Sequence, residues 1–188
     1  MPGPGAKPLA SGHGVVSGHV MTAASAVALL DDLTAAGVDP CVGGGWAVDA
    51  LIGEQTREHS DLDLWVEAPN LDPLVQVLTR RGVDRLLPWG GDRPWNFVLH
   101  DGEHVRVDLH LYEQLAQGLL HYGIVVRGAK FPAESLHGTG LIAGRRVRCD
   151  SLEWAVECHT GYAPRAVDRQ DVGRLCARFG LDLPVGYR

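Results

Sequence analysis

Three consecutive glycines, Gly43-Gly44-Gly45, separate the short apolar segment Pro40-Cys41-Val42 from a helical run, Trp46 to Ile52, that Gly53 closes. This placement constrains the chain more than any other feature. A strand that turns into a helix over residues without Cβ lets backbone N–H groups approach a ligand closely. A helix N-terminus also carries the partial positive charge that attracts anions. Within twenty residues follows Asp61 to Glu67, in which Leu62, Leu64 and Val66 alternate with Asp61, Asp63 and Trp65. Such alternation predicts a half-buried strand with two carboxylates on one face, about 7 Å apart.

Other elements fall around this centre. Thr22 is positioned to cap a helix carrying Val27, Leu29, Leu30 and Leu33, with Gly37 as its stop. Asn70 is read as the cap of a helix through Arg81, closed by Gly82. Residues 96–100 and 103–112 flank Asp101-Gly102 and predict a hairpin with a two-residue turn. On its second strand Val105, Val107, Leu109 and Leu111 face one way, and His104, Arg106, Asp108 and His110 the other. A second hairpin is expected around Ala143-Gly144. Asp150 with Glu153 is read as a capping box for a helix to Thr160, and Pro164 opens a last helix that stops at Gly180. The pattern is α+β, a mixed β-sheet with flanking helices and a small helical C-terminal segment. Residues 1–20 read as a disordered Gly/Pro/Ser-rich tail, 21–150 as the catalytic domain and 151–188 as the helical segment.

Composition narrows the function. The 188 residues carry a net charge of −6 with no Lys/Arg cluster, which argues against a nucleic-acid partner. No apolar run approaches the roughly 20 residues of a membrane span, and no signal-peptide core is present. The four cysteines lack CxxC spacing and read as reduced core thiols, so a cytoplasmic location is expected.

Chemistry converges on three features. The glycines offer a phosphate cradle. Asp61 and Asp63 repel unless a cation lies between them, and Mg²⁺ commonly bridges such carboxylates to substrate phosphates. Asp108, on a later half-buried strand, is either satisfied by Arg106 or is a third metal ligand or general base. In this order the parts suit phosphoryl-type transfer.

The segments Gly43 to Gly53 and Gln55 to Asp63 resemble the antibiotic nucleotidyltransferases of the polymerase-beta-like superfamily. Gly140 to Cys149 is similar to a stretch of the aminoglycoside adenylyltransferases that modify a 2″-hydroxyl. Val107-Asp108-Leu109-His110, and His159-Thr160-Gly161-Tyr162 followed by Asp168 and Asp171, look more like the lincosamide nucleotidyltransferases. The resemblance runs from Ala23 to Gly180. It implies a polymerase-beta-like fold and Mg²⁺-dependent transfer of AMP from ATP to a hydroxyl of a small antibiotic-like acceptor, with pyrophosphate released. It further implies that Asp61 and Asp63 bind metal, and that Asp108 is the third carboxylate, helping to deprotonate the acceptor. Gly44, Gly45 and Arg57 are the expected nucleotide contacts, and a homodimer completing the acceptor pocket is common in such families.

Each residue also has a plainer reading. Arg57 could pair with Glu58 or Asp61, and Lys130, in a Gly-rich loop, is a weaker phosphate candidate. Trp46 and Trp65 are read first as core. Trp89 and Trp95 bracket a loop suited to an acceptor pocket, and His110 suits an orienting role better than a bond to hard Mg²⁺. His159 and Tyr162 are read as a helix end packed on the sheet. Three competing functions remain: a metallohydrolase on His104, Arg106, Asp108 and His110, an inactive relative serving as a nucleotide-binding or interaction module, and polynucleotide polymerisation.

Overall fold

The computed structural model describes residues 20–87, 96–124, 126, 128–160 and 162–188. The expected tail, the Trp89/Trp95 loop and Gly161 lie outside them, apart from Val20. Helix α1 (Ala23–Ala35) starts where expected, with Thr22 Oγ1 accepting from the Ser25 N–H at 3.1 Å. Strand β1 (Cys41–Val42) runs into α2 (Gly44–Ile52), whose first two residues are the glycines themselves, and Gly53 closes it in the left-handed conformation. Strand β2 (Leu62–Glu67) and helix α3 (Leu71–Arg80) follow. Asn70 makes no side-chain cap for α3; a 3₁₀ turn over Ala68–Asn70 leads into the helix instead.

The hairpin of β4 (Asn96–His100) and β5 (Arg106–Gln114) forms, preceded by β3 (Arg85–Leu87), which pairs with β4. Its connection is not the expected two-residue turn. Asp101 Oδ1 accepts from the N–H groups of Glu103, His104 and Val105, at 2.7, 2.9 and 3.0 Å. An Asp side chain that captures three successive amides holds a five-residue loop, so β5 begins at Arg106 rather than Glu103. Strands β6 (Leu119–Tyr122) and β7 (Ala129–Pro132) were not expected from the sequence, and Lys130 lies on β7 instead of in a loop.

The second hairpin, β8 (Gly138–Ile142) and β9 (Arg145–Cys149), turns at Ala143-Gly144, both with positive φ. Helix α4 (Leu152–Glu157) is capped by Ser151, whose Oγ accepts from Trp154, and not by Asp150; it ends three residues before Thr160. Helix α5 (Ala166–Phe179) stops at left-handed Gly180.

The sheet runs β3-β4-β5-β2-β1-β9-β8, with β6 continuing the outer edge of β5 and β7 pairing β6. Strands β2 and β5 are parallel, as are β1 and β9, whereas β1 and β2 are antiparallel. One face carries α1 and α3, which bury Leu29, Leu33, Leu74 and Leu78 against Leu62, Leu64, Val107 and Leu109. The other face builds an aromatic cluster from Trp65, Tyr112, Tyr122 and Phe131, with Trp154 against it. Helix α2 bridges the layers, because Val48 packs with Ala155 of α4 and Leu175 of α5. All four cysteines are free, and three are buried. Among the described residues no helix is long and apolar enough to cross a membrane.

Strand β8 meets α2 backbone to backbone: a Cβ on Gly140 would collide with the Ala50 carbonyl, which cannot move without displacing the helix. Gly140→Ala is therefore expected to cost about 1–3 kcal/mol, the usual penalty of overpacking. The measurement is the urea midpoint at unchanged m-value.

Candidate active site

The strand directions place the cleft. Because β1 and β9 run opposite to β2 and β5, the ends of the first pair lie beside the beginnings of the second. Asp61 stands just before β2, Asp63 is its second residue, and Asp63 and Asp108 are direct register partners on parallel strands. The glycines follow β1, and Asp150 follows β9. All of these residues line one cleft, whose opposite wall comes from Tyr162, Arg165, Asp168 and Asp171.

Local packing fixes the glycines. Gly44 has φ +57°, and a Cβ there would strike the Asp63 carboxylate; a Cβ on Gly45 would strike the Arg57 guanidinium and the His59 ring. The loop from α2 to Asp61 is held by the buried Asp49 carboxylate. Its Oδ1 accepts from Thr56 N at 3.0 Å and Thr56 Oγ1 at 2.5 Å, and its Oδ2 meets His59 Nε2 at 2.5 Å. The His59 ring lies against Trp46 at 4.3 Å. Trp46 is thus core, whereas Trp65 is both buried and part of the cleft wall.

Each carboxylate has a neighbour that orients it. Arg106 Nε donates to Asp108 Oδ1 at 3.2 Å and lies 3.8 Å from Asp61 Oδ2. His110 Nε2 lies 3.2 Å from Asp63 Oδ1. Its Nδ1 is 3.0 Å from the Tyr122 hydroxyl, which donates to Asn96 Oδ1 at 3.3 Å. His110 thus acts as an orienting group, and its ring rests on Trp65 at 4.7 Å. Burial, then the nearby charges of Asp63 and Asp61, push the Asp108 carboxyl up to about 8 against the pull of Arg106.

Asp61, Asp63 and Asp108 are hard oxygen donors crowded on one sheet edge, a donor set that fits a small divalent cation. As they stand, Asp63 leans on His110 and Asp108 on Arg106, and no cluster of three ligands is already gathered around one point among the described residues. The metallohydrolase grouping does not assemble, since His104 lies exposed in the loop before β5.

Arg57 pairs with neither Glu58's carboxylate nor Asp61. It forks onto buried Asp171, with Nε 3.1 Å from Oδ1 and Nη2 2.8 Å from Oδ2, and still faces the cleft. Asp168 accepts from the Arg165 backbone and guanidinium, forming the cap of α5. Burial alone would raise its pKa, but these hydrogen bonds hold it below the ordinary value. His159 and Tyr162 join this wall, so their place is the cleft as well as a helix end. Lys130 is not part of the lining. Asp150 was missed as a site residue because an acid beside a helix start reads as a cap.

A glycine-led helix lies beside Asp63 and Asp108 on adjacent strands, with Asp61 just before the first of them, in a polymerase-beta-like nucleotidyltransferase fold. A family model described as Aminoglycoside-2″-adenylyltransferase matches residues 25–175, and the chain belongs to that family. It is 26% identical over 132 residues to a lincosamide resistance protein of Staphylococcus haemolyticus, covering 70% of this chain and 80% of that one. It is 32% identical over 127 residues to a 2″-aminoglycoside nucleotidyltransferase of Escherichia coli, covering 65% of this chain and 63% of the relative. Among solved structures, the lincosamide antibiotic adenylyltransferase LnuA with lincomycin bound superposes with a TM-score of 0.73 at 24% identity, over 85% of this chain and 99% of that one. ANT(2″)-Ia in complex with adenylyl-2″-tobramycin gives 0.66 at 23%, over 82% and 87%.

The raised carboxyl of Asp108 has a consequence for stability. A group whose pKa is higher folded than unfolded favours the fold at low pH, and that contribution is lost as pH rises through about 8. Without added metal, Asp108→Asn should raise Tm at pH 8 and leave it nearly unchanged at pH 4, as differential scanning calorimetry would show.

Proposed function

We propose that this protein transfers AMP from ATP to a hydroxyl of a lincosamide- or aminoglycoside-like acceptor, releasing pyrophosphate with Mg²⁺ as the metal. The observation that carries this reading is the parallel register of Asp63 with buried Asp108, beside a helix whose first turn is Gly44-Gly45. When bound by Asp61, Asp63 and Asp108, Mg²⁺ supplies charge neutralisation for the triphosphate. The chain supplies the rest. The N-terminal N–H groups of α2 face the phosphates, and neither glycine can gain a side chain without displacing Asp63 or Arg57. Arg57, steadied by Asp171, adds a cationic contact from the loop side. Asp108, aimed by Arg106, accepts the proton of the acceptor hydroxyl. That oxygen then bonds the α-phosphorus as the bond to pyrophosphate breaks. A cytoplasmic location goes with this reading, because the donor nucleotide is kept there.

Pyrophosphate release with ATP, Mg²⁺ and a panel of lincosamides and aminoglycosides tests it directly. Acceptor-dependent release from the wild type, abolished in Asp61→Asn and Asp63→Asn at nearly unchanged Tm, is the expected result. Asp108→Asn should lower kcat by roughly 10²–10⁴-fold, the usual worth of a general base, while the Kd for ATP moves far less. Release that persists in Asp63→Asn would overturn the assignment.

A further inference from the structure

On the cleft wall opposite the sheet carboxylates, the charged side chains are spent on one another, Arg57 on Asp171 and Arg165 on Asp168. His159 differs. It lines the same cleft and is only 8% exposed, yet one of its ring nitrogens has no partner in the protein.

Hydrogen bonding fixes which nitrogen this is. His159 Nδ1 lies 2.7 Å from the Ala155 carbonyl oxygen, which can only accept, so Nδ1 carries a proton. The Cys158 thiol agrees with this. It donates its own proton to the same carbonyl at 3.6 Å, which leaves the sulfur as an acceptor 3.5 Å from Nδ1. In the neutral ring Nε2 is then an acceptor, and no hydrogen bond reaches it from the described residues.

That lone pair is accessible. The side-chain atoms of the described residues that are sealed off without a partner are Trp46 Nε1, Arg148 Nε, Asp150 Oδ1 and Trp154 Nε1. His159 Nε2 is not one of them, so it keeps surface, and the cleft is what the ring lines. The ring is also held still. Its Nδ1 is tied to α4, and the Tyr187 hydroxyl donates to the His159 carbonyl at 2.7 Å.

A fixed acceptor in a mostly buried ring selects a donor. A phosphate oxygen or a carbonyl brings only lone pairs to it, whereas an amine N–H or a hydroxyl completes it. Building on the reading of this cleft as a nucleotidyltransferase site, we propose that His159 is a substrate-binding residue. Its Nε2 accepts a hydrogen bond from an N–H or O–H group of the bound nucleotide or of the bound acceptor.

The test is equilibrium binding of ATP with Mg²⁺, and separately of a lincosamide and an aminoglycoside. The proteins are the full chain, His159→Phe, His159→Gln and Tyr187→Phe. Phenylalanine keeps a flat ring without nitrogens, and glutamine keeps an acceptor of similar reach. Tyr187→Phe removes only the hydroxyl that holds the His159 backbone, and so reports the packing of the wall. Affinity for one substrate should fall about three- to tenfold in His159→Phe. It should recover partly in His159→Gln and stay nearly unchanged in Tyr187→Phe. A fall confined to ATP names the nucleotide as the donor, and one confined to an antibiotic names the acceptor. With ¹⁵N-labelled histidine, NMR should show Nε2 as the unprotonated nitrogen of the free protein, moving upfield when that substrate is added. If His159→Phe fails to fold, this signal decides alone. His159→Phe binding every substrate as the wild type does, an equal loss in Tyr187→Phe, or a protonated Nε2 in the complex would overturn the inference and leave the nucleotidyltransferase reading standing. A wild type that binds none of these substrates would overturn both.

Discussion

The buried Asp49 carboxylate holds the cleft together. It sits on α2 and takes hydrogen bonds from Thr56 and His59, two points of the loop leading to Asp61. Removing it would leave three donors without their acceptor and loosen the loop that leads to Asp61 and β2. The Met21 N–H donates to His59 O at 2.7 Å, so the same residue also ties down the entry to α1. The position of the carboxylates relative to the helix N-terminus is thus set by a network that touches no substrate.

Charge in the cleft is distributed by pairing. On the C-terminal wall Asp171 is bridged by Arg57 and Asp168 by Arg165, so four charges are locally compensated. On the sheet side Arg106 lies by Asp61 and Asp108, and His110 by Asp63. Arg57 and Arg165 are tethered by these carboxylates, so they face the cleft with little side-chain freedom left to lose.

The parts of the site that are contiguous in sequence were legible there. Glycines at a strand–helix turn and an Asp-x-Asp strand are local patterns, and the fold joins them because the Asp63 carboxylate fills the space that a side chain at Gly44 would need. Asp108 was legible from alternation alone, and its pairing with Asp63 needed the parallel register that no periodicity specifies. The residues that were missed have the opposite character. Asp150 sits next to a true cap, Ser151, and an acid there looks like part of a capping box. Asp171 is an ordinary helix acid until Arg57 is brought to it from the far end of the chain. Asp101-Gly102 gave the right hairpin and the wrong turn, because an Asp that captures amides ahead of it has the same dipeptide signature as a tight turn. Strands β6 and β7 are short and lack alternation, so only their neighbours define them.

The pairing of Arg57 with Asp171 bears on how the protein is made. Synthesis proceeds from the N-terminus, and domains condense as their residues emerge. By the time β9 has left the ribosome, the sheet has all its strands and the three aspartates already stand on its edge. Yet the wall built by Tyr162, Asp168 and Asp171 does not exist until α5 arrives. Until then Arg57 has no partner in that wall, and α2 has an apolar side uncovered at Val48. The cleft therefore closes only when α5 has followed the sheet, and a message truncated within α5 would yield a sheet with its carboxylates in place and half of the cleft wall.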